Sequence, residues 1–324
     1  EYRCWGFDPS KRLAVIRPAV ELPRIDGEQL QSEKSVTGIY WPSTGRFFKT
    51  GDSIMLPDIS GTDFMAKWLN ENKPDYLLCM SAVLERIALG YANRENTSGI
   101  QAALSISQQL TQGMRQFAEK NVTPKVQQNY GLNEIGLVAM RCPESGQYHV
   151  HNENCLIEVV DKDGLPCEPG IGGRLLVTGL LNYAMPLIRY DTDDLAEIVT
   201  EACPCGRSAQ SFTNIRGRYR RTAHLPEGTW DYWDAILYVF GHASKQEMAN
   251  IKQYQLHQLS ANKFDLKLKV EAAVPESLIS RIHEKCKAAG KGKILDLNIL
   301  QLDQIEQPGK KFQNFISDIT PPEY

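Results

Sequence analysis

Apolar positions arrive in short runs between polar turns, and the spacing inside those runs changes along the chain. The continuous run over 13–20 predicts a buried strand, and the Gly, Ser and Thr of 36–51 predict loops around short strands. Phe64, Met65, Trp68 and Leu69 fall at helical spacing within 60–72, with Ser60 or Thr62 as the expected N-cap. A run at 74–80 predicts a strand and 82–91 a helix, and the order strand, helix, strand repeats at 102–107, 109–120 and 125–130. Such alternation favours a parallel sheet layered with helices. From 136 to 199 the runs shorten and turns such as Asp161-Lys162-Asp163-Gly164 and Pro169-Gly170-Ile171-Gly172-Gly173 multiply, which predicts a β-rich subdomain. Beyond Gly217, strands at 253–259, 264–270 and 294–302 with a helix over 276–289 make a compact α+β unit. The chain is therefore expected to divide into a large domain over 1–216 and a smaller C-terminal one over 217–324.

Charge and composition narrow the function classes. A net charge of -3 over 324 residues argues against nucleic acid as the main partner, because neutralising phosphates needs a clustered basic surface. No run approaches the roughly 18 apolar residues of a membrane span, so no membrane association is expected. Glu1 is not followed by a basic and then apolar leader, and the eight cysteines are too unevenly spread for a disulfide scaffold. A reducing cytoplasm is the expected compartment.

Candidate chemistry gathers in three places. In Pro186-Leu187-Ile188-Arg189-Tyr190-Asp191-Thr192-Asp193-Asp194, an acidic pair ends an apolar run. A carboxylate there must meet a cationic or hydroxylic group, and at a strand end of an α/β sheet it suits a ribose diol. Tyr130-Gly131-Leu132-Asn133-Glu134-Ile135-Gly136 follows a predicted strand, and its glycines allow a tight turn that presents a ring, an amide and a carboxylate. Tyr130 suits stacking on or flanking a base, and Glu134 suits Mg²⁺ held together with substrate phosphates. Third, Cys142, His149 and the Cys203-Pro204-Cys205-Gly206 turn have the ligand types of a closed tetrahedral zinc site. His151 and Cys155 are alternative ligands, although strand alternation puts His151 on the face of His149 and leaves Cys155 to the core or an acyl pocket. His224, His242, His257 and His283 have no partner at a diagnostic spacing and are expected at surface or satisfied positions.

Taken in order, Tyr-Gly-x-Asn-Glu-x-Gly at 130–136, Asp163-Gly164-Leu165-Pro166 with the run 170–178, Arg189-Tyr190-x-x-x-Asp194, Gly217-Arg218 and Gly309-Lys310-Lys311-Phe312 form a series. The series resembles the adenylate-forming enzyme superfamily, specifically its phenylacetate:coenzyme A ligase-like branch, over nearly the whole chain. The resemblance implies an α/β fold with a parallel-sheet layer, a β-rich subdomain and a small mobile C-terminal α+β domain. It implies ATP-dependent conversion of a small carboxylic acid to an acyl-adenylate, then transfer to a thiol, with ATP/AMP, Mg²⁺ and coenzyme A as cofactors. Transfer to an amine, a hydroxyl or a carrier protein is the alternative, as is a catalytically dead relative that binds a nucleotide or a partner; a homodimer is left open. By resemblance Asp194 holds the ribose hydroxyls, Glu134 holds Mg²⁺, Tyr130 lies beside the adenine with Gly131 and Asn133 in the same nucleotide-binding turn, and Arg218 contacts the nucleotide at the joint. The catalytic lysine is Lys310 counted from Gly309 and Lys311 counted back from Phe312, the latter preferred. Some members of the branch carry the same Cys, His and Cys-x-Cys pattern, which favours a structural zinc at Cys142, His149, Cys203 and Cys205.

Four departures stand out. The family's phosphate loop has no counterpart, so the chain reads as the latter part of a longer protein, with roughly 100 residues expected before Glu1. Asn133 stands where Thr or Ser is usual, Asp193 where Gly is common, and Arg218, Arg220 and Arg221 where the joint is usually acidic.

Overall fold

The structure, a computed structural model, describes residues 2, 4–92, 94–107, 110–216, 223–225, 228–230, 236, 239–240, 243–289, 296–306 and 314–319. Its first half alternates strands and helices: β1 (Leu13–Arg17), β2 (Val36–Gly38), β3 (Ser53–Pro57), α1 (Thr62–Asn72), β4 (Tyr76–Met80), α2 (Ser81–Ala92), β5 (Ala102–Ile106), α3 (Gln112–Asn121) and β6 (Val126–Leu132). Strands β3, β1, β4, β5 and β6 pair in parallel, with β2 antiparallel on the edge. Strand alternation divides the core between the two faces. Ala14 and Ile16 of β1 turn toward the helices with Met65, Leu69, Leu84 and Phe117. Leu13 and Val15 turn to a second cluster with Trp5, Phe7, Trp41 and Tyr76, where Phe7 stacks on Tyr76 at 4.4 Å.

The first strand stops at Arg17 rather than reaching 20, because Pro18 has no amide hydrogen for the ladder, and a short 3-10 turn, Ala19–Glu21, follows. The N-cap of α1 is Gly61, without a side-chain cap bond. Of the two expected caps, Thr62 lies inside the helix, and the Ser60 hydroxyl instead accepts the Glu33 amide at 2.9 Å. Helix α3 starts at Gln112 rather than 109, capped by the Thr111 hydroxyl.

At β6 the sheet changes character. Strands β7 (Gly136–Arg141), β8 (Tyr148–Val150), β9 (Cys155–Val160), β10 (Gly172–Gly179), β11 (Tyr190–Val199) and β12 (Ser211–Arg216) continue it antiparallel, in the order β6-β7-β8-β12-β11-β10-β9. The sheet is therefore mixed, because the tight β6–β7 hairpin reverses the chain where a crossover helix would have kept it parallel. Alternate residues of this half, such as Ile157, Val159, Leu175 and Val177, form a third core around Phe212.

A small hairpin, β13 (Ala223–Leu225) with β14 (Gly228–Trp230), precedes the C-terminal unit. That unit contains α4 (Lys245–Met248), β15 (Ile251–Ser260), β16 (Lys263–Val270), α5 (Glu276–Ala289), β17 (Asp296–Leu302) and β18 (Phe315–Ser317), with sheet order β17-β16-β15-β18. Leu278, Ile282 and Cys286, one turn apart along α5, are buried with Leu266 and Leu268 of β16 in the same cluster that contains the helical face of the large sheet. Lys252 reaches across to Asp63 of α1 at 3.1 Å. The expected joint at 217–222, with Gly217 and Arg218, lies outside the described residues, as do Lys310 and Lys311.

Candidate functional site

The β6–β7 hairpin presents the first motif. Gly136 has φ of +90°, and a Cβ on Gly131 would stand 2.9 Å from the Gly136 carbonyl oxygen, so both glycines are needed for the close turn. The turn leaves Asn133 and Glu134 exposed and Tyr130 half-buried, its ring edge-on to Phe212 at 5.9 Å.

The second motif lies on β11, where a bulge re-aims the chain. Leu176 pairs with Asp191 and Arg174 with Leu195, so the segment 192–194 is looped out of the ladder, with Asp193 at φ of +60°. The bulge turns Asp194 inward, where it is only 9% exposed. The hydroxyl that meets this carboxylate belongs to Tyr130, which donates to Asp194 Oδ2 at 2.6 Å. Burial, then the Asp194 charge and the hydrogen bond to it, push the Tyr130 phenol far up, so it remains a donor. A second contact runs the other way: Tyr190 on β11 donates to Glu134 Oε1 at 3.2 Å. The neighbouring cations are engaged elsewhere, Arg174 with Asp191 at 2.7 Å and Arg189 with Glu158 at 3.1 Å. Beside Glu134 a cavity of about 230 Å³ opens against Ile135, Asn154, Leu181, Met185 and Leu187. Tyr190 and Thr192, whose hydroxyl accepts the Asp194 amide at 3.1 Å, had no role assigned from the pattern. The only signal for them was position, four and two residues before Asp194.

Cys142, His149, Cys203 and Cys205 come together, with ligand atoms all within 4.8 Å of one another. Cys142 follows β7, His149 lies in β8, and the other two lie in the turn between β11 and β12, where Gly206 at φ of +78° lets its amide return to the Cys203 carbonyl. Cys142 and Cys203 sulfurs are 3.6 Å apart and Cys205 Sγ is 3.3 Å from His149 Nε2. Zn–S bonds of about 2.3 Å give tetrahedron edges of about 3.8 Å, so the donor set fits a four-coordinate zinc. Burial raises the Cys142 thiol, but the Ser145 and Glu144 amides, the Ser145 hydroxyl and His149 outweigh it and bring the group down to about 6. His151 pairs instead with Glu153 at 3.2 Å, and Cys155 is fully buried in the β-rich core, so neither joins the cluster.

The structure also exposes a feature that no motif announced. Glu85 of α2 is 2% exposed and accepts the Asn314 side-chain amide from beside β18, and burial pushes its carboxyl well above the ordinary range.

No family model matches the chain. It is 30% identical over 164 residues to a phenylacetate-coenzyme A ligase of Thermus thermophilus, covering 48% of this chain and 37% of that protein. To the Escherichia coli phenylacetate-coenzyme A ligase it is 31% identical over 176 residues, or 51% and 39% of the two chains. The match thus spans well under half the length of these relatives. Among solved structures, a 2-hydroxyisobutyryl-CoA ligase in its postadenylation state aligns with TM-score 0.70 at 15% identity, covering 98% of this chain and 67% of that one. An anthranilate CoA ligase bound to anthranoyl-AMP aligns at 0.58 and 14% identity, covering 94% and 60%. The chain is thus similar in sequence, over about half its length, to phenylacetate-coenzyme A ligases, and it shares the fold of the two solved CoA ligases.

Proposed function

We propose that this chain carries the nucleoside side of an ATP-dependent carboxylate:coenzyme A ligase. The observation that carries the reading is the 2.6 Å contact of Tyr130 with Asp194, which joins the two motifs a nucleotide site needs at one spot. In the reaction a substrate carboxylate oxygen attacks the α-phosphorus of ATP and the bond to the bridging oxygen breaks, releasing pyrophosphate. The coenzyme A sulfur then attacks the acyl carbon, the acyl–oxygen bond breaks, and AMP leaves. The protein's part is positioning and charge neutralisation. Asp194 accepts the ribose hydroxyls, Glu134 holds Mg²⁺ against the phosphates, and the ring of Tyr130 flanks the adenine. The substrate is a small carboxylic acid.

In the same proposal Cys142, His149, Cys203 and Cys205 hold a structural zinc with no open position, kept loaded in the reducing cytoplasm. Its role is to tie β7 and β8 to the β11–β12 turn, not to touch substrate.

Pyrophosphate release by the full-length protein with MgATP, coenzyme A and a panel of carboxylic acids tests the ligase reading. Release is expected with at least one acid, and Asp194→Ala is expected to lower it by about 10- to 100-fold, the cost of a charged hydrogen-bond acceptor. No release with any acid overturns the enzyme reading. AMP binding without pyrophosphate release turns it into a nucleotide-binding relative, and the Asp193 and Asn133 departures favour that second reading.

A further inference from the structure

Each of the two motifs lends its tyrosine to the other's carboxylate. Tyr130, at the end of β6, holds Asp194 on β11 at 2.6 Å, and Tyr190, at the start of β11, holds Glu134 after β6 at 3.2 Å. These strands are not neighbours, because β7, β8 and β12 lie between them in the sheet. Four inter-strand steps laid flat would separate β6 from β11 by about 19 Å. The antiparallel half must therefore curl until β11 faces the β6–β7 turn, and no backbone ladder sets the spacing of the two carboxylates. The Tyr130–Asp194 and Tyr190–Glu134 hydrogen bonds span that gap.

From this reciprocal pair we infer that Tyr130 and Tyr190 are positioning residues, which register the ribose-binding Asp194 against the cation-binding Glu134. The inference rests on the proposed function and deepens it. A neutral hydroxyl suits the task better than a cation. It fixes a carboxylate while leaving the negative charge in place for Mg²⁺, and an ionised carboxylate has about four acceptor positions, so one phenol leaves room for a diol. Among the described residues, the guanidinium groups of Arg174 and Arg189 conform to this, being paired with Asp191 and Glu158. Tyr130 is further braced by Phe212, whose ring also stacks on Tyr148 at 5.5 Å.

The two contacts predict different losses, because AMP engages the nucleoside side whereas MgATP engages both. The full-length protein is titrated calorimetrically with AMP alone and with ATP plus Mg²⁺, as wild type, Tyr130→Phe, Tyr190→Phe and Asp194→Ala. Phenylalanine keeps each ring, and a thermal melt of each variant monitors the fold. Tyr130→Phe is expected to weaken both ligands by about 5- to 10-fold, the worth of one hydrogen bond. Tyr190→Phe is expected to weaken MgATP by a similar factor and AMP much less, the difference vanishing in EDTA. If both tyrosine variants bind both ligands as wild type does while Asp194→Ala loses AMP, the nucleotide site stands and the positioning inference fails. If each variant loses the same factor for both ligands along with a lowered melting point, the tyrosines are merely structural and the inference again fails. Wild-type full-length protein that binds neither ligand overturns the proposed function itself.

Discussion

Asp193 sits in the left-handed region at φ of +60°, a conformation that costs an L-residue about 1–2 kcal/mol and glycine almost nothing. Its amide donates to the Asp191 side chain at 3.1 Å, which offsets part of that cost. Asp193→Gly is accordingly expected to leave the unfolding free energy unchanged or raise it by up to about 1 kcal/mol in denaturant titration, and a loss larger than that would contradict the strain argument. Glu85 makes a second case in which one buried group governs a measurable property. Unfolded, a glutamate ionises at about 4.3, whereas folded Glu85 stays protonated well above that. The folded state then binds the extra proton, so stability is full below the ordinary carboxylate range and falls as pH rises through it, by about 1.4 kcal/mol per pH unit up to the folded value. Glu85→Gln keeps a neutral acceptor for Asn314. It should match wild type near pH 4 and exceed it at pH 8, and an equal difference at both pH values would rule the explanation out. The need of Asp194 for a partner was legible in its sequence, since an acidic residue ending an apolar run cannot stay unpaired. That the partner is Tyr130, 64 positions away, was not.

Helices were the most legible elements, because a 3.6-residue period appears within the segment itself. Glu276–Ala289 matches its predicted span, while α1 and α3 differ chiefly at their starts, α3 also running one residue longer to Asn121. Those starts depend on which hydroxyl is free to cap: Ser60 serves Glu33, whereas Thr111 accepts the Met114 amide at 3.3 Å. Thr111→Ala should therefore cost about 1 kcal/mol in denaturant titration, while Ser60→Ala should act through the Glu33 loop and not through helix content. Strands were legible as runs but not as neighbours, since pairing across β8 and β12 joins segments about sixty residues apart. The β6–β7 hairpin is the exception, announced by its two glycines. Gly136→Ala, forced to φ of +90°, is expected to lose about 1–2 kcal/mol and to loosen the turn that carries Glu134, read out by denaturation and by MgATP affinity.

Across the molecule, the Cys142, His149, Cys203 and Cys205 cluster and the two carboxylate motifs occupy the same curled antiparallel half, so loss of one is expected to disturb the other. Purified protein should contain one equivalent of zinc. Chelation, or Cys203→Ser, should lower the melting temperature and weaken AMP binding without abolishing the fold of the C-terminal unit; metal-free protein with an unchanged melt would remove zinc from the account. The C-terminal unit packs against the large sheet through one continuous apolar cluster. Helix α5 and strands β15, β16 and β17 were readable from periodicity, but α4, β18 and the unit's seat on α2, with Glu85 buried beneath Asn314, were not. Local chemistry wrote the elements, the turns, the ligand types and the family resemblance into the order of residues, because periodicity, glycine placement and motif spacing act over short stretches of chain. Which hydroxyl meets which carboxylate, how far the sheet curls, and that Cys142 stands 3.6 Å from Cys203 depend on contacts between distant segments. Those contacts are set by burial summed over the whole core, which no stretch of sequence contains.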